Sequence, residues 1–217
     1  MRRSICLRLD MALKRSICPA GRGEKAQSTL VAEGNISNFE QSSKIHFTAV
    51  WYNISKGIKM KRIIGSKFNS IFRCLDMLCF NLGNDVQDDE GDVIPEYSFH
   101  IQTSWRFVKG KEILLASRDI FLPHDESLNN GYYDYEEQST QKEITATSSI
   151  FDVAMHDFEK HFENATVKSF VISPLGDLRI DFTNGVYFET FTPSARKCEE
   201  WRFLPPGEED HLVIFEV

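Results

Sequence analysis

Long hydrophobic runs are missing from this 217-residue chain. The longest candidate, residues 71–82, is interrupted by Arg73, Asp76 and Asn81, and nothing approaches the roughly 18 apolar residues that a membrane helix requires. No membrane span is expected. The five cysteines, Cys6, Cys18, Cys74, Cys79 and Cys198, contain no C-x-x-C pair and are odd in number. Neither a zinc ribbon nor a closed disulfide framework fits that pattern, whereas a reducing, cytoplasmic setting does. The chain also lacks G-x-x-x-x-G-K-[ST], G-x-G-x-x-G and H-E-x-x-H, which removes the phosphate-cradling, dinucleotide and zinc-protease signatures. Asp85, Asp88, Asp89, Glu90 and Asp92 do not follow the alternating ligand pattern of an EF-hand, and His124, Asp125, His156 and His161 have no zinc spacing. No cofactor and no metal are expected.

What is present suits a packed domain. Hydrophobic residues make up 41% of the chain and charged residues 26%, near globular averages, and 17 Phe supply large core-forming side chains. The length suits one ordinary domain plus a tail. Charge is unevenly divided: residues 1–62 hold 12 Lys/Arg against 4 Asp/Glu, a balance of +8, and residues 63–217 hold 13 against 28, a balance of −15.

The basic leader shows no sustained periodicity, and only residues 45–54 alternate like a strand. Asp10 interrupts its first apolar stretch, which makes a poor secretory signal. Lys56-Gly57-Ile58-Lys59-Met60 is encoded AAR-GGN-ATH-AAR-ATG, which places a purine-rich AGG shortly before an ATG, as a bacterial ribosome-binding site does. The expectation is therefore a leader over residues 1–59 with no selected fold, being disordered or upstream of a natural start at Met60, and a single domain over 60–217. A transit peptide or a basic nucleic-acid-binding arm is the alternative for the leader.

Within the body, residues 97–108 alternate, with Tyr97, Phe99, Ile101, Thr103, Trp105 and Phe107 on one face. Lys109-Gly110 then reads as a two-residue turn into Lys111-Glu112-Ile113-Leu114-Leu115-Ala116. That register sets Trp105 opposite Leu114, Gln102 opposite Ser117 and His100 opposite Asp119, at about 5 Å between Cβ atoms. Asn184-Gly185 predicts a type I′ hairpin in which Leu178, Ile180 and Phe182 share a face with Tyr187, Glu189 and Phe191. Residues 167–172, a stretch around Trp201-Arg202-Phe203 and residues 212–217 read as further strands. Phe151, Met155, Phe158 and Phe162 follow the spacing of one helix face, with Ser148 or Ser149 as the cap and Asn164 at the end. A shorter helix is expected near residues 67–74, and acidic loops over 84–96 and 124–147. The fold class is α+β, mostly antiparallel sheet with one main amphipathic helix.

Ile71-Phe72-Arg73-Cys74-Leu75-Asp76-Met77-Leu78, His100-Ile101-Gln102-Thr103-Ser104-Trp105-Arg106, Ala116-Ser117-Arg118-Asp119 and Glu199-Glu200-Trp201-Arg202 resemble motifs in a family of small uncharacterised bacterial proteins. The resemblance runs from about Met60 to the C-terminus. It implies a bacterial source and no particular chemistry.

Three groups of residues stand out as sites. His100, Gln102, Ser117 and Asp119, paired as above, form either a satisfied polar network or a loose echo of a hydrolytic triad. Ser117 would sit mid-strand without an oxyanion hole, which favours the network. In the repeated Trp-Arg-Phe tripeptides, strand alternation sends both Trp to the core and leaves Arg106 and Arg202 to neutralise Glu189, the carboxylate in an otherwise apolar set. Tyr132-Tyr133-Asp134-Tyr135-Glu136-Glu137 joins aromatic anchors to negative charge in a long loop, as protein interfaces do. The combined reading is a non-catalytic cytoplasmic binding protein, of the immunity or inhibitor type, for a basic protein. Its acidic body is unsuited to nucleic acid. A small hydrolase using His100 and Asp119 is the alternative.

Overall fold

A computed structural model describes residues 60–128, 144–145, 147–193, 195, 198–206 and 212–215. They belong to one compact unit, Asn53–Val217. The leader over residues 1–59 and the Tyr132–Glu137 segment lie outside the described residues.

Among the described residues, ten strands form two five-stranded sheets, and every strand pair is antiparallel. The first sheet, in spatial order, contains β1 (Phe68–Cys74), β2 (Met77–Gln87), β3 (Val93–Ile101), β9 (Glu199–Leu204) and β10 (Leu212–Phe215). The second contains β5 (Glu112–Ala116), β4 (Ser104–Lys109), β8 (Val186–Phe191), β7 (Leu178–Phe182) and β6 (Val167–Ile172). The two inner faces meet through aromatic side chains: Phe80 stacks on Phe99 within the first sheet and reaches Phe107 and Phe188 of the second, with ring centroids 4.8, 5.7 and 4.8 Å away respectively. Burying such rings removes large apolar areas from water, at about 25 cal/mol per Å².

The alternation predicted over residues 97–108 spans two strands. The chain bends at Gln102-Thr103 and passes from β3 to β4, yet Tyr97, Phe99, Ile101, Thr103, Trp105 and Phe107 all remain buried. A bend between period-two segments keeps one face inward while changing sheets.

Both predicted hairpins form in a different register. Gly110, at φ +63°, occupies the first loop position of a Gly110-Lys111 turn, so Lys109 pairs with Glu112. That is the glycine placement of a type II′ turn. A bulge then shifts the ladder again, and Phe107 pairs with Leu115 and Arg106 with Ala116. In the second hairpin, Gly185 N–H donates to Phe182 C=O, and Gly185 adopts φ +83°. The loop is Thr183-Asn184-Gly185, the three-residue form closed by a left-handed glycine, and not type I′. Asn184 favours it by accepting from Val186 N–H at 3.1 Å and donating to His161 C=O at 2.7 Å. Ile180 therefore faces Phe188, and Arg179 faces Glu189. This one-residue slip exchanges the faces of β8.

The single amphipathic helix expected over residues 151–162 is not formed. Helix α1 covers only Ile150–Ala154, and a 3-10 turn follows at Phe158–Phe162. The four-residue spacing is satisfied by two short pieces because their rings enter different parts of the core. Phe151 meets Trp105 edge-on at 6.0 Å, whereas Phe162 stacks on Phe68 at 4.0 Å and Phe158 meets Phe107 at 5.0 Å. The helix expected near residues 67–74 is strand β1, which ladder pairing with β2 imposes over a weak local preference. Most of the acidic stretch 84–96 likewise belongs to β2 and β3, leaving a tip at residues 88–92.

Candidate functional site

The β2–β3 hairpin carries Asp85, Asp88, Asp89, Glu90, Asp92 and Glu96, and no Lys or Arg lies between Arg73 and Arg106 in the chain. Its tip is built by Asp88. One oxygen of that carboxylate accepts from Glu90 N–H at 3.0 Å and Asp92 N–H at 2.8 Å. Gly91 supplies the left-handed residue at φ +84°. Asp85, Asp89, Glu90 and Asp92 are exposed, so the hairpin is rich in surface carboxylates.

The outer face of the second sheet is a different environment. One rung across its strands reads Val171, Arg179, Glu189, Arg106, Ala116, and the next reads Ser169, Asp181, Tyr187, Val108, Ile113. Arg106 Nη2 lies 2.6 Å from Glu189 Oε1, and Arg179 Nη1 lies 3.4 Å from Glu189 Oε2. Arg179 also holds Asp181 at 2.8 Å and stacks 3.8 Å above the ring of Tyr187, and Arg106 lies 4.8 Å above the ring of Phe191. The hydrogen bond to Asp181 leads the forces that raise the Arg179 pKa, which keeps the guanidinium charged. The Glu189 side chain retains only 15% of its exposure. Because of the register change it is neutralised on this outer face and not among the apolar residues of the core.

Of the other residues singled out in the sequence, Arg202 pairs with Glu199 and not with Glu189: its Nη2 lies 2.8 Å from Glu199 Oε2. Trp105 and Trp201 are buried, and Trp201 Nε1–H donates to Gly176 C=O at 2.8 Å. The cross-strand pairs His100–Asp119 and Gln102–Ser117 do not form, because the chain has left the first sheet before β4 begins and β5 ends at Ala116. His100 sits on β3 opposite Cys79 and Arg202. Gln102 lies at the corner, where its N–H donates to Glu200 C=O. Ser117 and Asp119 occupy a 3-10 turn, Ser117–Phe121, in which Asp119 Oδ2 accepts from Ala116 N–H at 2.7 Å. Burial raises the Asp119 pKa, and the Ala116 hydrogen bond only partly opposes it.

A buried ion pair was not anticipated from the sequence. Arg73 Nε and Nη2 meet the two oxygens of Asp152 at 2.7 and 2.9 Å, with the Arg73 side chain 2% and Asp152 15% exposed. Asp152 also takes Ser149 Oγ–H at 2.7 Å, and Ser149 Oγ accepts from Asp152 N–H at 3.0 Å. Ser149 and Asp152 form a capping box, of which only a cap at Ser148 or Ser149 was legible in the sequence. The cation arrives from 79 residues away. Arg73 Nη1 further donates to Leu75 C=O at 2.9 Å, bracing a turn in which Leu75 adopts φ +56°.

Among the described residues, no three His, Cys, Asp or Glu side chains converge as a metal site requires, and no helix is long and apolar enough to cross a membrane. Compared with known proteins, the chain matches no family model, no curated protein and no solved structure.

Proposed function

We propose that this is a non-catalytic, cytoplasmic binding protein whose partner is a basic protein, in the manner of an immunity or inhibitor protein. The observation that carries the reading is the acidic β2–β3 hairpin, whose six carboxylates stand in a stretch devoid of Lys and Arg. Opposite unit charges about 4 Å apart gain only about 1 kcal/mol in water, so such a surface acts first on encounter rate and on rejection of acidic partners. The Tyr132-Tyr133-Asp134-Tyr135-Glu136-Glu137 segment supplies aromatic side chains of the kind that hold a complex once formed. Less support falls to the hydrolase alternative, because His100 stands opposite Cys79 and Arg202 in the ladder and not opposite Asp119.

Capture of partners from the native host, followed by association kinetics, tests this. Neutralising Asp88, Asp89 and Glu90, or Asp134, Glu136 and Glu137, to the corresponding amides is expected to slow association and flatten its salt dependence. Tyr→Ala at 132, 133 and 135 is expected mainly to speed dissociation. Unchanged rates in both neutralised variants would remove the case for electrostatic partner recognition.

A further inference from the structure

We propose that a second copy of this chain packs on the outer face of the second sheet. The inference is independent of the basic partner proposed above.

Three exposed apolar side chains mark this face: Ile113 at 56%, Val171 at 59% and Phe191 at 41%. Between them lie Arg106, Arg179 and Tyr187, residue types enriched at interface centres, already ordered by ion pairing and stacking. Side chains held in place before contact lose less entropy on association. The chain as a whole carries −7 and residues 63–217 carry −15, so most approaches between copies are repulsive. Here two guanidiniums cancel two carboxylates locally.

The ladder is also self-complementary. A two-fold axis running across the strands, midway between the two rungs, sets each residue of one rung over its strand neighbour in the other copy. Arg179 then faces Asp181, Glu189 faces the ring and hydroxyl of Tyr187, and Ala116 faces Ile113, whereas Arg106 lies over the strand position of Val108, which is itself only 5% exposed. No like charges meet. Five strands about 4.8 Å apart and about five residues long span roughly 24 by 16 Å, or at most about 400 Å² per copy. A total near 800 Å² lies below the standard range for stable complexes, which makes this a weak, concentration-dependent dimer.

Sedimentation equilibrium of the full chain, over a concentration series and at low and high salt, tests the proposal. The weight-average mass should climb toward twice the monomer value. Salt should strengthen association by screening the net negative charge, the opposite sign from binding of a basic partner. Ile113→Glu with Val171→Glu should weaken it at least about tenfold, equivalent to about 1.4 kcal/mol. Both positions are exposed, so the melting transition should stay in place and separate lost association from lost folding. A monomer at every concentration would overturn the proposal. So would a dimer that weakens with salt, or one that the folded double variant forms equally well.

Discussion

Replacing Arg73 by Met tests the energetic account of the fold most directly. The substitution keeps an unbranched apolar stem and removes both bonds to Asp152, leaving a carboxylate that is 15% exposed and accepts from Ser149 N–H and Oγ–H without a counterion from Arg73. Breaking a buried pair from one side costs about 3–5 kcal/mol, because the remaining charge stays desolvated without its counterion. In a domain of this size each kcal/mol moves the melting temperature by about 2–4 °C, so a loss of about 4 kcal/mol should lower it by about 8–16 °C. Urea unfolding followed by tryptophan fluorescence should show the midpoint falling at constant slope. Arg73→Met with Asp152→Leu should recover much of the loss, since no charge is then stranded. The exposed pair Lys160–Asp157, with side chains 65% and 73% exposed, provides the contrast, and its removal should be near neutral. A loss below about 1 kcal/mol for Arg73→Met would refute the assignment of a stranded buried charge.

Further outcomes follow from single positions. For Asp152, burial works to raise the pKa, but the Arg73 and Ser149 hydrogen bonds outweigh it and hold the pKa below the ordinary value. Its stabilisation is therefore present above the unfolded pKa of about 3.9 and lost as pH falls through the lower folded value, and acid unfolding of Asp152→Asn should show that component missing. Asp119 has the opposite sign, its pKa being raised by burial. Asp119→Asn should stabilise the protein at neutral pH, while its oxygen still accepts from Ala116, and the gain should fade as pH drops through the carboxylate range. Gly83 has φ +84°, and a Cβ there would lie 2.5 Å from Glu96 Oε2 and 2.9 Å from Glu96 Cβ. Gly83→Ala should cost about 2–3 kcal/mol by denaturant titration, and a neutral result would contradict the left-handed backbone at Gly83, which lies in the register shift between Leu82 and Asp85 of the β2–β3 ladder. Leu75 holds φ +56° with its side chain exposed, so Leu75→Gly should be neutral to stabilising by about 0.5 kcal/mol, the relieved strain slightly exceeding the entropy of the added glycine.

Legible from the residues alone were the antiparallel, sheet-rich character of the body, the strand at Val167–Ile172, the inward face of residues 97–107 and the burial of Trp105 and Trp201. These depend on period-two alternation and on the cost of leaving large rings in water, which are local properties of the chain. A helix cap at Ser148 or Ser149 was legible from residue type alone, and the structure assigns it to Ser149. Register was not local. A positive φ at Gly110, a three-residue loop at Asn184 and a bulge at Leu114 each shift a ladder by one or two residues, and every cross-strand pair inferred from the sequence moved with them. The division of one long alternating run between two sheets was equally invisible, because a bend at Gln102-Thr103 leaves the inward pattern intact. Tertiary structure alone therefore decided that Glu189 lies on the outer face between Arg106 and Arg179, that His100 and Asp119 belong to separate elements, and that Arg73 reaches Asp152. Side-chain pairing across a sheet or between layers is fixed by how the backbone closes, and alternation constrains only which face a residue occupies.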